Sequence, residues 1–78
     1  MKIVKVLGPG CKRCGATEDM VKSAAAALGV EVTVEKVTDY AEIAGYGIAS
    51  TPGIVIDGAV VHAGGLPKEA DLRRWLQA

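Results

Sequence analysis

KIVKVLGPGCKRC stands at residues 2 to 14 and divides into a strand, a loop and a pair of cysteines. Residues 2 to 7 are apolar and largely β-branched apart from two lysines, which is typical of a strand. The Gly-Pro-Gly of residues 8 to 10 interrupts this pattern and predicts a tight loop. Cys11 and Cys14 therefore follow the first strand directly.

The segment after the cysteines has the spacing of an amphipathic helix from Thr17 to Leu28. Gly29 stands where a helix C-cap favours a positive φ angle. We expect Cys14 to lie in or beside the first turn of this helix, with Cys11 just before it. The apolar residues at helical spacing are Met20, Val21, Ala24, Ala27 and Leu28.

In residues 30 to 37, valine alternates with polar residues as far as Glu35. This pattern predicts a half-buried second strand. Asp39, followed three residues later by Glu42, is a variant of the capping box and predicts a short helix. Gly45 and Gly47 end that helix.

The last third of the chain predicts a hairpin and a closing helix. Residues 53 to 57 and 59 to 62 are short strands separated by Gly58. Pro67 suits a first helical position, and the residues after it have an amphipathic pattern. The order is β-α-β-α-β-β-α, an α/β fold with a four-stranded mixed sheet flanked by three helices, because a crossover makes the first two strands parallel and a hairpin adds antiparallel ones.

Length and composition limit the classes of function. Residues 1 to 78 suffice for one domain, whose core must be aliphatic because only 4% of the residues are aromatic. Nine basic and nine acidic side chains cancel, which argues against nucleic acid or an anionic membrane as partner. No apolar run is long enough for a bilayer span or a signal peptide. We expect a complete, cytoplasmic and monomeric protein.

The two cysteines are too few for the disulfide framework of a small secreted domain and suggest chemistry instead. A helix N-terminus, with Lys12 and Arg13 between the sulfurs, stabilises a thiolate. At this spacing one sulfur can attack a disulfide and the other can resolve the product. We predict that Cys11, exposed by the loop at Gly10, attacks and that Cys14 resolves.

The same spacing also suits soft metals. A closed zinc site needs four ligands, and the only further candidates are His62, Met1 and Met20, so structural zinc is disfavoured. Two thiolates alone can hold Cu(I), which leaves a copper carrier as an alternative. We expect His62 to be solvated or hydrogen-bonded within the fold, because no partner ligand is in sight.

Lys36 is in phase with Val32 and Val34 on the face of the second strand that we expect to be buried. Our hypothesis is that its ammonium reaches the cysteine loop and tunes a thiolate pKa. The alternative is that the strand ends or bulges at Glu35 and that Lys36 extends into water.

Residues 46 to 58, YGIASTPGIVIDG, resemble the thioredoxin-family segment around its cis-proline. Residues 64 to 68, GGLPK, are similar to the glycine and closing helix of that family. Together with the two cysteines, the resemblance covers nearly the whole chain. It is greatest to the small thioredoxin- or glutaredoxin-like redox-active disulfide proteins of bacteria and archaea.

This resemblance implies a thiol-disulfide oxidoreductase that exchanges disulfides with partner proteins through Cys11 and Cys14. It also implies a cis peptide at Thr51-Pro52 that faces the cysteines, with the Thr51 backbone pairing with a substrate peptide. The chain has no nucleotide-binding fingerprint, so we expect no cofactor, and electrons would come from a reductase or a small thiol.

Three departures from the family pattern limit the inference. Gly10 stands where thioredoxins have tryptophan, and Lys12-Arg13 replaces their Gly-Pro, which leaves the reduction potential and the direction of electron flow open. Leu66 and the residues after it replace the two aspartates that bind glutathione in glutaredoxins, which argues against glutathione as the preferred partner.

The copper-carrier alternative makes a different structural prediction. Heavy-metal-associated domains resemble this chain in length and cysteine spacing, but their order is β-α-β-β-α-β and they end on a strand. They also usually have methionine where this chain has Pro9. The predicted element order favours the oxidoreductase.

Overall fold

The structure, a computed structural model, describes residues 2–8, 12–48 and 50–77. Its elements confirm the predicted α/β fold and its order, a four-stranded mixed sheet with three helices. The elements are β1 (Lys2–Leu7), α1 (Lys12–Leu28), β2 (Val32–Val37), α2 (Tyr40–Gly45), β3 (Gly53–Ile56), β4 (Ala59–Ala63) and α3 (Glu69–Gln77).

The strands lie in the order β2-β1-β3-β4. β1 runs parallel to β2, with Leu7 opposite Val37, and antiparallel to β3, with Leu7 opposite Gly53. β4 pairs with β3 in an antiparallel hairpin. The carboxyl end of β1 therefore lies between two neighbouring strands, and the chain leaves the interior of the sheet just before the cysteines.

The β3–β4 hairpin turns through Asp57 and Gly58, whose φ angles of 49° and 87° match a two-residue turn with positive φ at both positions. The Asp57 carboxylate accepts a hydrogen bond of 3.0 Å from the Ile3 backbone N–H. This contact joins the hairpin to the start of β1.

The core lies on both faces of the sheet. Helices α1 and α3 pack on one face, and the larger cluster of buried apolar residues lies there. Helix α2 packs on part of the other face over a smaller apolar cluster. In α1, Ala25 is buried and Ala27 is exposed, so the predicted position of Ala27 in the apolar stripe is wrong. The larger cluster is Val4, Val21, Ala24, Ala25, Ile54, Ile56, Leu72 and Leu76; the smaller is Leu7, Val37, Ile43 and Val55.

Two helix starts differ from the sequence prediction. α1 begins at Lys12, not near Thr17, so it includes Cys14 as its third residue. α3 begins at Glu69, and its first hydrogen bond runs from the Leu72 N–H to the Lys68 carbonyl. Pro67 is buried just before that helix and does not open it.

Other local predictions hold. Asp39 is the N-cap of α2, and its side chain accepts a hydrogen bond of 2.9 Å from the Ala41 N–H. Gly29 follows α1 with a φ of 69°, as its C-cap position requires. In the ranges that the structure describes, no helix has the length and apolar character needed to cross a bilayer.

Leu72→Ala should destabilise the fold by about 2 to 5 kcal/mol, because Leu72 of α3 is completely buried in the larger cluster. Leu66→Ala is the matched control, because Leu66 is 52% exposed and its truncation should cost less than about 0.5 kcal/mol. Denaturant unfolding followed by circular dichroism measures both. Equal losses in the two variants would contradict the described core.

Candidate active site

Cys14 lies in the first turn of α1 and is only 6% exposed. It is in the disulfide-bonded form. The first turn of a helix has backbone N–H groups without helical partners, and these favour negative charge on a nearby sulfur. The predicted attacking residue, Cys11, and the loop residue Gly10 lie outside the described residues.

Gly8 provides the space for the sulfur of Cys14. A Cβ atom built on Gly8 would collide with Cys14 Sγ and would lie 3.8 Å from the Cβ of Thr51. The Gly8 N–H donates a hydrogen bond of 2.8 Å to the Val37 carbonyl, which holds this glycine at the ends of β1 and β2. Sequence analysis assigned Gly8 only to the loop; the available signal was a glycine directly after a buried strand.

The segment from Ser50 to Pro52 brings Thr51 close to the same position beside Gly8. The Thr51–Pro52 peptide bond is cis, Thr51 is half-buried, and Pro52 is fully buried. The Pro52 carbonyl accepts a hydrogen bond of 2.9 Å from the Gly64 N–H. Thr51 and Cys14 therefore both lie beside Gly8, although they are far apart in the sequence.

The basic residues near Cys14 differ in position. Lys12 is exposed at the start of α1, and the Arg13 backbone continues the same turn. Lys36 lies on the expected face of β2, opposite Val6, but its side chain is 59% exposed. The Lys36 side chain therefore extends into water, as the alternative predicted, although β2 continues to Val37 and neither ends nor bulges at Glu35.

Lys36 is paired with an acid that sequence analysis did not identify. Its Nζ lies 3.7 Å from Glu18 Oε2, and Lys22 Nζ lies 3.5 Å from Glu18 Oε1. Glu18 is only 15% exposed and follows Cys14 by four residues on α1, about one helical turn. Helical spacing was the available signal for this proximity.

Lys5, on β1, contacts the start of the segment that leads to Pro52. Lys5 Nζ donates a hydrogen bond of 3.3 Å to Tyr46 Oη, and this bond raises the pKa of Lys5. Tyr46 also packs against the smaller apolar cluster. The contact attaches the start of the segment that leads to Pro52 to the central strand.

The metal-carrier alternative does not match the element order. The chain has α2 between β2 and β3 and has α3 after its last strand, whereas a heavy-metal-associated domain was expected to end on a strand. Across residues 2–8, 12–48 and 50–77, no three side chains of His, Cys, Asp or Glu lie together in a group that could hold a metal ion.

Known proteins similar to this chain agree with the fold. A family model described as a thioredoxin domain matches residues 2–77. A thioredoxin of Methanocaldococcus jannaschii is 33% identical over 78 residues, which cover 100% of this chain and 90% of that protein. A thioredoxin of Methanothermobacter thermautotrophicus is 25% identical over 76 residues, which cover 97% and 99% of the two chains.

The mixed sheet, the cysteine in the first turn after its inner strand and the proline segment beside it define a protein of the thioredoxin-fold class. The chain belongs to the thioredoxin family. At the level of that family it is a thiol-disulfide oxidoreductase, a class that acts on protein disulfides and is served by a reductase.

Gly8→Ala should destabilise the protein by about 1 to 3 kcal/mol, because the added methyl group overpacks the contact with Cys14 Sγ. Gly15→Ala is the control on α1: a Cβ there meets nothing within 4 Å, and alanine should stabilise the helix by about 0.5 to 1 kcal/mol. Thermal unfolding of both variants measures the difference. A stable Gly8→Ala variant would contradict the close approach.

Proposed function

We propose that Cys11 and Cys14 form a dithiol-disulfide couple that exchanges disulfides with partner proteins. The observation that carries this proposal is Cys14, disulfide-bonded and nearly buried in the first turn of α1. The chain has only one other cysteine, Cys11, three residues earlier. Membership of the thioredoxin family supports the same chemistry.

The burial of Cys14 supports a division of roles between the two sulfurs. A thiol that is 6% exposed cannot easily reach the disulfide of another protein, so it suits the resolving role. Cys11, before the helix, would then attack. Lys12 and Arg13 add positive charge beside it and favour its thiolate.

The exchange proceeds in two displacements. The Cys11 thiolate attacks one sulfur of the partner disulfide; that S–S bond breaks, a mixed disulfide forms and the second partner sulfur leaves as a thiolate. The Cys14 thiolate then attacks Cys11 Sγ, which releases the reduced partner and leaves the Cys11–Cys14 disulfide. Two electrons from a reductase return the pair to the dithiol.

We propose that the substrate peptide binds along Thr51 and Pro52 and that Gly10, Lys12 and Arg13 also take part in binding it. The Thr51 backbone would pair with the substrate as an added strand. The proximity of Thr51 to Gly8, against which Cys14 Sγ lies, supports this placement, because the paired peptide would then run beside the sulfurs.

The proposal extends to partners and setting. The protein would act as a monomeric domain in the cytoplasm, where a reducing environment keeps a dithiol couple cycling. It would need no bound cofactor, because an unidentified reductase supplies the electrons. Leu66, in place of a glutathione-binding aspartate, supports protein disulfides over glutathione as substrates.

Substitution of the cysteines tests the couple. With insulin as the disulfide substrate and dithiothreitol as electron source, both Cys11→Ser and Cys14→Ser should abolish turnover. Reduced Cys14→Ser, mixed with insulin after the dithiothreitol has been removed, should accumulate a mixed disulfide, because the resolving sulfur is missing. Intact-mass analysis measures the adduct. Its formation by Cys11→Ser in place of Cys14→Ser would reverse the roles.

The unmodified protein provides a second test. The protein is equilibrated in glutathione redox buffers, and its free thiols are then alkylated. Both thiols should become protected from alkylation together, at a potential between about −270 and −120 mV. Thiols that remain alkylatable at every potential, or that are protected only after Cu(I) is added, would overturn the proposal.

Lys36 is proposed to tune the pKa of the Cys11 thiol through Glu18. Without Lys36, Lys22 is the remaining ion-pair partner of Glu18 among the described residues, and the carboxylate presents more negative charge toward the first turn of α1. Lys36→Met should therefore raise the pKa of Cys11, measured by the pH dependence of its alkylation.

Lys22→Met tests whether Glu18 transmits the effect, because Lys22 pairs with the same carboxylate at 3.5 Å. A similar rise of the Cys11 pKa is expected in this variant. An unchanged Cys11 pKa in Lys36→Met would reject the role of Lys36.

A further inference from the structure

His62 has two contacts that the proposed chemistry does not use. Its Nε2 lies 3.0 Å from the Gly65 carbonyl oxygen. Its ring centroid lies 5.8 Å from that of Trp75, with the planes at 42°. A carbonyl can only accept, so Nε2 carries the proton and donates it. The ring is therefore held between α3 and the turn that follows β4.

That turn has a backbone that needs external support. Gly64 and Gly65 have φ angles of 87° and 71°, and consecutive glycines lose more conformational freedom on ordering than other residues. A Cβ on Gly64 would lie 3.0 Å from the Cβ of Ser50, so the turn packs directly on the residue before Thr51. The hydrogen bond from His62 is a contact that holds the turn in this shape.

The Gly64–Gly65 turn is itself hydrogen-bonded to the proline segment. The Gly64 N–H donates to the Pro52 carbonyl at 2.9 Å. A continuous set of contacts thus runs from Trp75 through His62 and the two glycines to Pro52. Thr51, the residue proposed to pair with substrate, lies directly before Pro52.

We propose that His62 is a positioning residue for binding of protein disulfides. By fixing the Gly64–Gly65 turn, it holds the Thr51 backbone in place to receive an extended peptide. This inference rests on the proposed function. It assigns His62 an effect on the binding of a peptide and none on the sulfur chemistry, because its hydrogen bond and its ring contact are with Gly65 and Trp75.

His62→Leu and His62→Gln separate these effects. Leucine keeps apolar contact with Trp75 but cannot donate to Gly65, whereas the glutamine amide can donate in place of Nε2. His62→Leu should raise the KM for insulin by about threefold to tenfold, the effect of one neutral hydrogen bond. Its kcat/KM for a small aromatic disulfide, 5,5′-dithiobis(2-nitrobenzoate), and its reduction potential should match the unmodified protein. His62→Gln should restore the KM for insulin.

Hydrogen exchange of the Gly64 amide, followed by NMR, tests the same contact without any substrate. Exchange should accelerate in His62→Leu and return in His62→Gln, while core amides of β1 exchange unchanged. An unaltered Gly64 rate, or an unaltered KM for insulin in an active protein, would overturn the role of His62. Failure of the unmodified protein to reduce either disulfide would instead overturn the proposed function, and the role of His62 in substrate binding with it.

Discussion

The sulfur of Cys14 occupies the space that a side chain on Gly8 would need. This contact lets the first turn of α1 lie directly against the end of β1, and the hydrogen bond from Gly8 to Val37 fixes that end to β2. Thr51 lies close to the same glycine. The cysteine, the two parallel strands and the proline segment are thus held together around one residue without a side chain.

Local patterns were sufficient to predict the elements, and packing decided where they begin. Short segments carry the signals for the alternating pattern of β2, the N-cap of α2 at Asp39 and the end of α1 at Gly29. The structure has each of these features. The start of α1 is different. Between Lys12 and Thr17 there is no apolar periodicity, so only the contact of this turn with the sheet reveals that it is helical.

The candidate site was less predictable because its contacts join distant segments. Spacing put Lys36 on the right face of β2, but its exposure depends on how far the covering helix extends. Gly8 contacts Thr51, and Gly64 donates a hydrogen bond to Pro52. The two residues of each pair are more than ten positions apart in the sequence, so no short sequence pattern predicts these contacts. Thr51 and Pro52 were predictable from the resemblance to a known family and not from periodicity.

The two apolar clusters differ in what covers them. Two helices of 17 and 9 residues cover the larger cluster, whereas a helix of six residues covers the smaller one. Segments with less buried apolar area open at lower free energy than the whole fold, so transient opening begins on the α2 side. The smaller cluster includes Leu7 and Val37, the last residues of β1 and β2. Such an opening loosens the strand ends beside Gly8 while the packing of α1 on α3 persists, so the surroundings of the sulfur can fluctuate without global unfolding.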